Sequence, residues 1–151
     1  MVTFEPRTTT VGEAPCFFCP SHAALRVALL TRDSAALGRV GEDLAEAFYR
    51  AQGARILGRN VTYDRLEVDL LAQMDGEFVV VEVRTRRANS LQDAAATLGP
   101  VKLERLYRAA LRAVEKAGWQ GPWRIDLCAL DVTLEGATVH WYRNLEEEGF
   151  A

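Results

Sequence analysis

Apolar residues recur at helical spacing from residue 37 onward. Leu37, Gly41, Leu44, Phe48 and Ala51 fall on one face, the stripe of an amphipathic helix. Ser34 stands before this stripe as an N-cap. Gly53 follows Gln52 where a left-handed glycine ends a helix, so the pattern predicts a helix over 35–52. The period then changes. Residues 54–61, with Ile56 and Leu57 as their apolar content, read as a strand. Residues 67–74 read as a second strand and the β-branched run 77–86 as a third. Asp75-Gly76 between them is a two-residue hairpin turn, because both central positions of a type I′ turn need positive φ.

Residues 88–100 read as loop, and helical spacing returns over 101–117. Leu103, Leu106, Tyr107, Ala110, Leu111 and Val114 form the apolar stripe. Lys102, Arg105, Arg108, Arg112 and Lys116 cluster opposite, and Gly118 closes the helix. Strands over 123–132 and 137–143, joined at Glu135-Gly136, complete the pattern. Helix, three strands, helix and two strands make an α/β fold with a mixed sheet flanked by helices.

Residues 1–34 lack this periodicity, apart from a short helical stretch at 21–31, and read as an N-terminal extension of low order. The patterned domain covers 35–145, and residues 146–151, with Glu146-Glu147-Glu148, form a solvated acidic tail. Cys16, Cys19 and His22 supply part of a zinc-like motif, but a tetrahedral site needs a second ligand pair that the nearby sequence lacks. Cys128 lies in a core strand, where a thiol behaves as a small hydrophobe. Trp119, Trp123 and Trp141 read as core or domain-edge packing, and His140 as structural. Asp126, between Ile125 and Leu127, either supports a site or faces solvent.

The hairpin carries the chemistry. With a two-residue turn, Met74 faces Glu77, Asp69 faces Glu82 and Glu67 faces Arg84. Residues two apart on a strand share a face, so all four charged groups project together. Opposed carboxylates destabilise a sheet unless something offsets their repulsion. A divalent cation would do so, and hard oxygen donors suit Mg²⁺ or Mn²⁺. Arg84 adds a fixed positive charge able to meet a phosphate oxygen. Cation and guanidinium together are what metal-assisted phosphodiester hydrolysis requires. The alternative is a solvated strand face with a Glu67–Arg84 surface pair of little energetic weight.

Composition limits the partners. The 151 residues are 49% hydrophobic and 26% charged, with a formal net charge of -3. That balance is globular, and it argues against coating nucleic acid through bulk positive charge. Contact with nucleic acid is expected to be local. Lys102 at a helix N-terminus, Arg105 one turn on, and Arg86 on the face of the acids are the candidates. No apolar run spans a membrane and no secretory signal is read. Three cysteines make no disulfide framework, so a cytoplasmic protein is expected.

Several ordered motifs resemble the YraN-like family of bacterial proteins. They are Gly41-Glu42-Asp43-Leu44-Ala45, Asn60, Glu67-Val68-Asp69-Leu70-Leu71, and Val81-Glu82-Val83-Arg84-Thr85-Arg86, with Lys102, Arg124-Ile125-Asp126-Leu127 and His140-Trp141 in the later segments. That family resembles a branch of the PD-(D/E)XK nuclease superfamily. The resemblance covers about 36–150 and implies a restriction-endonuclease-like αβββαβ core. It implies that Asp69 and Glu82 are metal ligands, assisted by Glu42 on the first helix. Glu67 matches the acid preceding the aspartate. Arg84 stands where the superfamily usually has lysine, and Leu66 where the family usually has glycine. Arginine stays protonated, so Arg84 positions water or neutralises phosphate rather than acting as a base.

The expected function is a Mg²⁺- or Mn²⁺-dependent endonuclease on DNA, branched or repair intermediates included, with a homodimer as a further expectation. The alternatives are a nucleic-acid-binding module of the same fold with little catalysis, and a protein-interaction scaffold without metal.

Overall fold

A computed structural model of the chain describes residues 5–11 (backbone), 27, 29–30, 33–87, 98–134 and 136–145. The zinc-like motif, the 88–97 segment and the acidic tail lie outside them. The described elements are β1 (Glu5–Val11), α1 (Ser34–Ala51), β2 (Arg55–Tyr63), β3 (Leu66–Met74), β4 (Glu77–Arg87), α2 (Pro100–Ala117), β5 (Trp123–Thr133) and β6 (Gly136–Arg143). From α1 to β6 they run helix, three strands, helix, two strands, as the pattern predicts, and contain the restriction-endonuclease-like αβββαβ core that the resemblance implies.

Local chemistry sets most boundaries. The N-cap of α1 is Asp33, not Ser34: its carboxylate accepts the Ala36 N–H at 3.0 Å, satisfying a donor the helix cannot. Pro100 starts α2, where a missing N–H costs nothing, and Gly118 ends it in the left-handed region. The β2–β3 connection is tighter than expected. Asp64 adopts φ 58, and Tyr63 pairs with Leu66 across the turn.

The sheet runs β1-β6-β5-β4-β3-β2. β4 and β5 are parallel, and the remaining neighbours are antiparallel. The strand β1 is an element that the pattern does not predict within the N-terminal extension. Glu5–Val11 pairs with β6 from Glu5↔Arg143 to Val11↔Ala137. Its Thr8-Thr9-Thr10-Val11 run is β-branched and suits a strand. It shows no apolar alternation, so periodicity could not reveal it.

Among the elements described, α1 packs on one sheet face and α2 on the other. Leu37, Val40, Leu44, Phe48 and Tyr49 of α1 pack with Val79, Val81, Cys128, Leu130 and Trp141. Leu103, Leu106, Ala109, Ala110 and Ala113 of α2 pack with Phe78, Val80, Ile125 and Leu127. The strand β4 is thus buried on both sides, which explains its continuous valine run. Leu111, expected in the α2 stripe, is exposed, while Ala109 and Ala113 are buried. Small side chains let α2 lie close to the sheet.

Asp126 neither faces solvent nor joins the acids of the hairpin. It is fully buried and receives only donors. Tyr49 Oη donates to Oδ2 at 2.7 Å and Trp141 Nε1 at 3.1 Å. Arg124 Nε donates to Oδ1 at 3.0 Å, and the Asn144 N–H at 2.9 Å. Arg124, itself buried, also donates to Glu77 at 3.0 Å. The burial of Tyr49, with Asp126 beside it, holds its phenol well above its usual range and keeps it a donor. Phe48 and Tyr49 meet the Trp141 ring edge-on, with centroids 5.1 and 5.6 Å away.

The amide nitrogen of an Asp126→Asn variant would have to point at one of these donors. Breaking a buried charge network in this way costs about 3–5 kcal/mol. Urea unfolding of Asp126→Asn is therefore expected to show that loss, and a change below about 1 kcal/mol would contradict the network's role.

Candidate metal and nucleic-acid site

The β3·β4 ladder keeps the register expected from the Asp75-Gly76 turn, from Met74↔Glu77 to Leu70↔Val81. There the two strands part. β4 continues beside β5 as far as Arg87↔Val132, while β3 continues beside β2 alone. Asp69 and Glu82 occupy the next position and sit in the fork. The Asp69 carboxylate takes up the backbone donor freed by the split, accepting the Val83 N–H at 2.9 Å.

The two acids meet as the hairpin arithmetic predicts. Glu82 is buried, with a side chain 8% exposed. Burial first, and then the Asp69 charge, push its carboxyl up to about 7, although Lys102 and Arg84 oppose this. A hydrogen bond between the two carboxyl groups adds to the rise. Asp69 also lies above its usual value. Burial is the main cause, the Val83 bond opposes it, and Glu42 and Glu67 contribute repulsion. Arg84 Nε stands 3.5 Å from Glu82 Oε1 and Lys102 Nζ 3.6 Å from the same oxygen.

Other candidates are placed differently. Glu67 is exposed and lies beyond the fork. The expected Glu67–Arg84 pairing therefore does not form, and Arg84 turns to Glu82. Glu42 projects from α1 and accepts from Asn60 Nδ2 at 3.1 Å, with Arg59 Nη2 at 3.5 Å. Gly41 before it touches β4 so closely that a Cβ would lie 1.7 Å from Thr85 Oγ1. The absent side chain is what lets the middle of α1 approach β4 here. Arg86 binds Asp131 through Nε and, at 3.4 Å, Nη2, and His140 Nε2 lies 3.0 Å from Asp131. Burial disfavours the Asp131 charge, but Arg86 and His140 outweigh it and hold the carboxyl below its usual range. Arg105 is exposed. Two other basic residues of α2 have acidic partners: Arg108 with Glu104 at 2.7 Å and Arg112 with Asp64 at 3.5 Å.

Sequence reasoning missed the roles of Arg59, Asn60 and Asp131. An asparagine inside a strand pattern was the available signal for Asn60, since Asn tolerates left-handed backbone.

Among the described residues, no group of three or more His, Cys, Asp or Glu side chains stands together as a metal cluster. The acids gathered at the fork are two, Asp69 and Glu82. That donor set fits a hard divalent cation of the Mg²⁺ type, which uses one or two carboxylates and keeps several waters.

The raised Glu82 carboxyl has a consequence for stability. Its folded-state value lies above its ordinary one, so its contribution is fully present below the usual carboxylate range. It is lost as pH rises through about 7, because only the ionised form is penalised. With EDTA present, Glu82→Gln is expected to melt above the wild type at pH 8, by on the order of 5 °C. The difference should shrink toward pH 4. Equal offsets at both pH values in a thermal melt would contradict the buried charge.

The family model described as "Uncharacterised protein family UPF0102" matches residues 41–130, from the α1 glycine to β5. A UPF0102 protein of Oleidesulfovibrio alaskensis is 39% identical over 110 residues, covering 72% of this chain and 48% of that protein. The match thus spans about half of that relative's length. A UPF0102 protein of Dichelobacter nodosus is 43% identical over 109 residues, covering 72% and 86%. One from Streptomyces griseus is 38% identical over 106 residues, covering 69% and 89%. Among solved structures, that of Pyrococcus furiosus SfsA in complex with Ca2+ is similar at a TM-score of 0.33 and 16% identity, over 74% of this chain and 64% of that one. By the family model and these relatives, and in accord with its YraN-like motifs, the chain belongs to the protein family UPF0102.

Proposed function

We propose that the chain is a divalent-metal-dependent endonuclease that hydrolyses DNA phosphodiester bonds, branched or repair intermediates among them. The observation that carries this reading is the Asp69–Glu82 carboxyl pair in the strand fork, with Arg84 and Lys102 within 3.6 Å of Glu82. Asp69 and Glu82 would hold Mg²⁺ or Mn²⁺, with Glu42 in support. The bound ion would supply Lewis acidity and an activated water.

The remaining roles belong to the chain's own residues. Arg84 keeps its charge at any working pH and offers a planar fork of donors to phosphate. Lys102, in the first turn of α2, adds its ammonium to the positive end of the helix dipole. A phosphate reaching the acids would meet both. Arg105 extends the basic face along the backbone, where such contacts position nucleic acid rather than read it. The Arg86 guanidinium is held by Asp131, so its part is to fix β4 against β5 beside the site.

A catalytically weak binding module of the same fold is the second reading. Arg84 favours it, because a residue that stays protonated cannot take a proton from water.

The test is incubation of the purified chain with labelled single-stranded, duplex and four-way-junction DNA, with Mn²⁺ or with EDTA, beside Asp69→Ala. Mn²⁺-dependent products are expected, falling at least about 100-fold in the variant, the scale of losing a main catalytic interaction. Cleavage preserved in Asp69→Ala would refute the site. Binding without cleavage would establish the second reading.

A further inference from the structure

Asn60 has φ 50. Among the described non-glycine residues with positive φ, it alone lies inside a strand. Asp64 and Asp75 occupy turns and Asn144 follows β6. A left-handed residue in a strand reverses the alternation of side chains, and the packing shows this reversal. Arg59 reaches α1 through Asp43 at 2.7 Å, whereas Val61 packs with the α2 cluster. Residues two apart on a regular strand would share a face.

The same reversal occurs on the neighbouring strand at the same level. Leu70 packs with the α1 cluster and Val68 with the α2 cluster. Arg59↔Leu70 and Val61↔Val68 are paired positions, so Asn60 and Asp69 are the residues between them. The switch in pleat therefore falls at the level of the fork aspartate, where the β3·β4 ladder ends. The Asn60 side chain adds a second link, donating to Glu42 on α1 at 3.1 Å.

We propose that Asn60 is a positioning residue for the acidic site. Its left-handed backbone sets the pleat reversal that directs Asp69 to the Val83 N–H, and its amide holds Glu42 beside that aspartate. The metal-positioning half of this role rests on the metal reading above, and the backbone half does not.

Two variants separate the halves. Asn60→Gly keeps the left-handed backbone and loses the amide. Asn60→Val loses both, because a β-branched residue avoids positive φ. The measurements on the full chain are Mn²⁺ affinity by calorimetry and exchange of the Val83 amide by NMR. Asn60→Gly is expected to keep Val83 protected and to weaken Mn²⁺ binding by about tenfold, the effect of removing a residue that orients a ligand. Asn60→Val is expected to lose Val83 protection as well. With Glu42→Ala already in place, Asn60→Gly should weaken binding no further, since the two act as one unit.

Mn²⁺ affinity within twofold of wild type in Asn60→Gly, or simple addition of the Gly and Ala effects, overturns the amide's role. Unchanged Val83 protection in Asn60→Val overturns the backbone's role. If the wild type and Asp69→Ala alike take up no Mn²⁺, the metal reading falls together with the metal-positioning half, and Val83 exchange alone decides the rest.

Discussion

A carboxylate sealed from solvent must be matched by donors or it costs several kcal/mol, and Asp126 meets that constraint by drawing four parts of the chain together. Tyr49 comes from α1, Arg124 from β5 itself, Trp141 from β6, and the Asn144 amide from the segment after β6. Arg124 passes the connection on to Glu77 at the start of β4. The α1 helix is thereby tied to the sheet at a polar point within an apolar interface. The Phe48, Tyr49 and Trp141 rings pack edge-to-face on one another beside that point.

With α1 held at its Tyr49 end, its middle can approach β4 at Gly41, where any side chain would strike Thr85. That approach brings the Glu42 charge near enough to Asp69 to help raise its carboxyl. The fork follows from the mixed sheet. β4 pairs antiparallel with β3 on one side and parallel with β5 on the other, and the two partnerships need not end together. Where β3 leaves, β4 is left with an unpaired N–H, and the Asp69 carboxylate satisfies it. Two acids then face each other in a partly dry crevice, at an energetic cost that the rest of the sheet sustains. Sites of this kind, in which burial and like charge both raise a carboxyl, are common where function requires them.

Much of this is legible in the sequence. The Asp75-Gly76 turn fixes the register, because a two-residue loop leaves one way to pair its strands. The meeting of Asp69 and Glu82 follows by counting. The β-branched run of β4 marks a strand, and Gly41 and Lys102 are among the residues the family motifs pick out. The limits were physical. Counting assumes strict alternation along both strands, and Asn60 breaks it. Counting also assumes that the ladder continues, so Glu67 was paired with Arg84 beyond the point where the strands separate. The sequence leaves Asp126 ambiguous because an acid between two apolar residues looks the same whether it meets water or a set of protein donors. The partner of Arg86, Asp131, is 45 residues away in the chain, so no local pattern reveals the pair.

The sequence by itself determined the element order, the hairpin register and the identity of the paired acids, since these depend on local backbone preference and a period of two or 3.6 residues. The tertiary structure decided which charges are buried, which cations are already engaged, where the sheet splits and which way the pleat turns. It also recruited the threonine-rich segment as β1. These depend on contacts between residues far apart in the chain, and no local pattern encodes the solvent and partners that a side chain meets once the layers close.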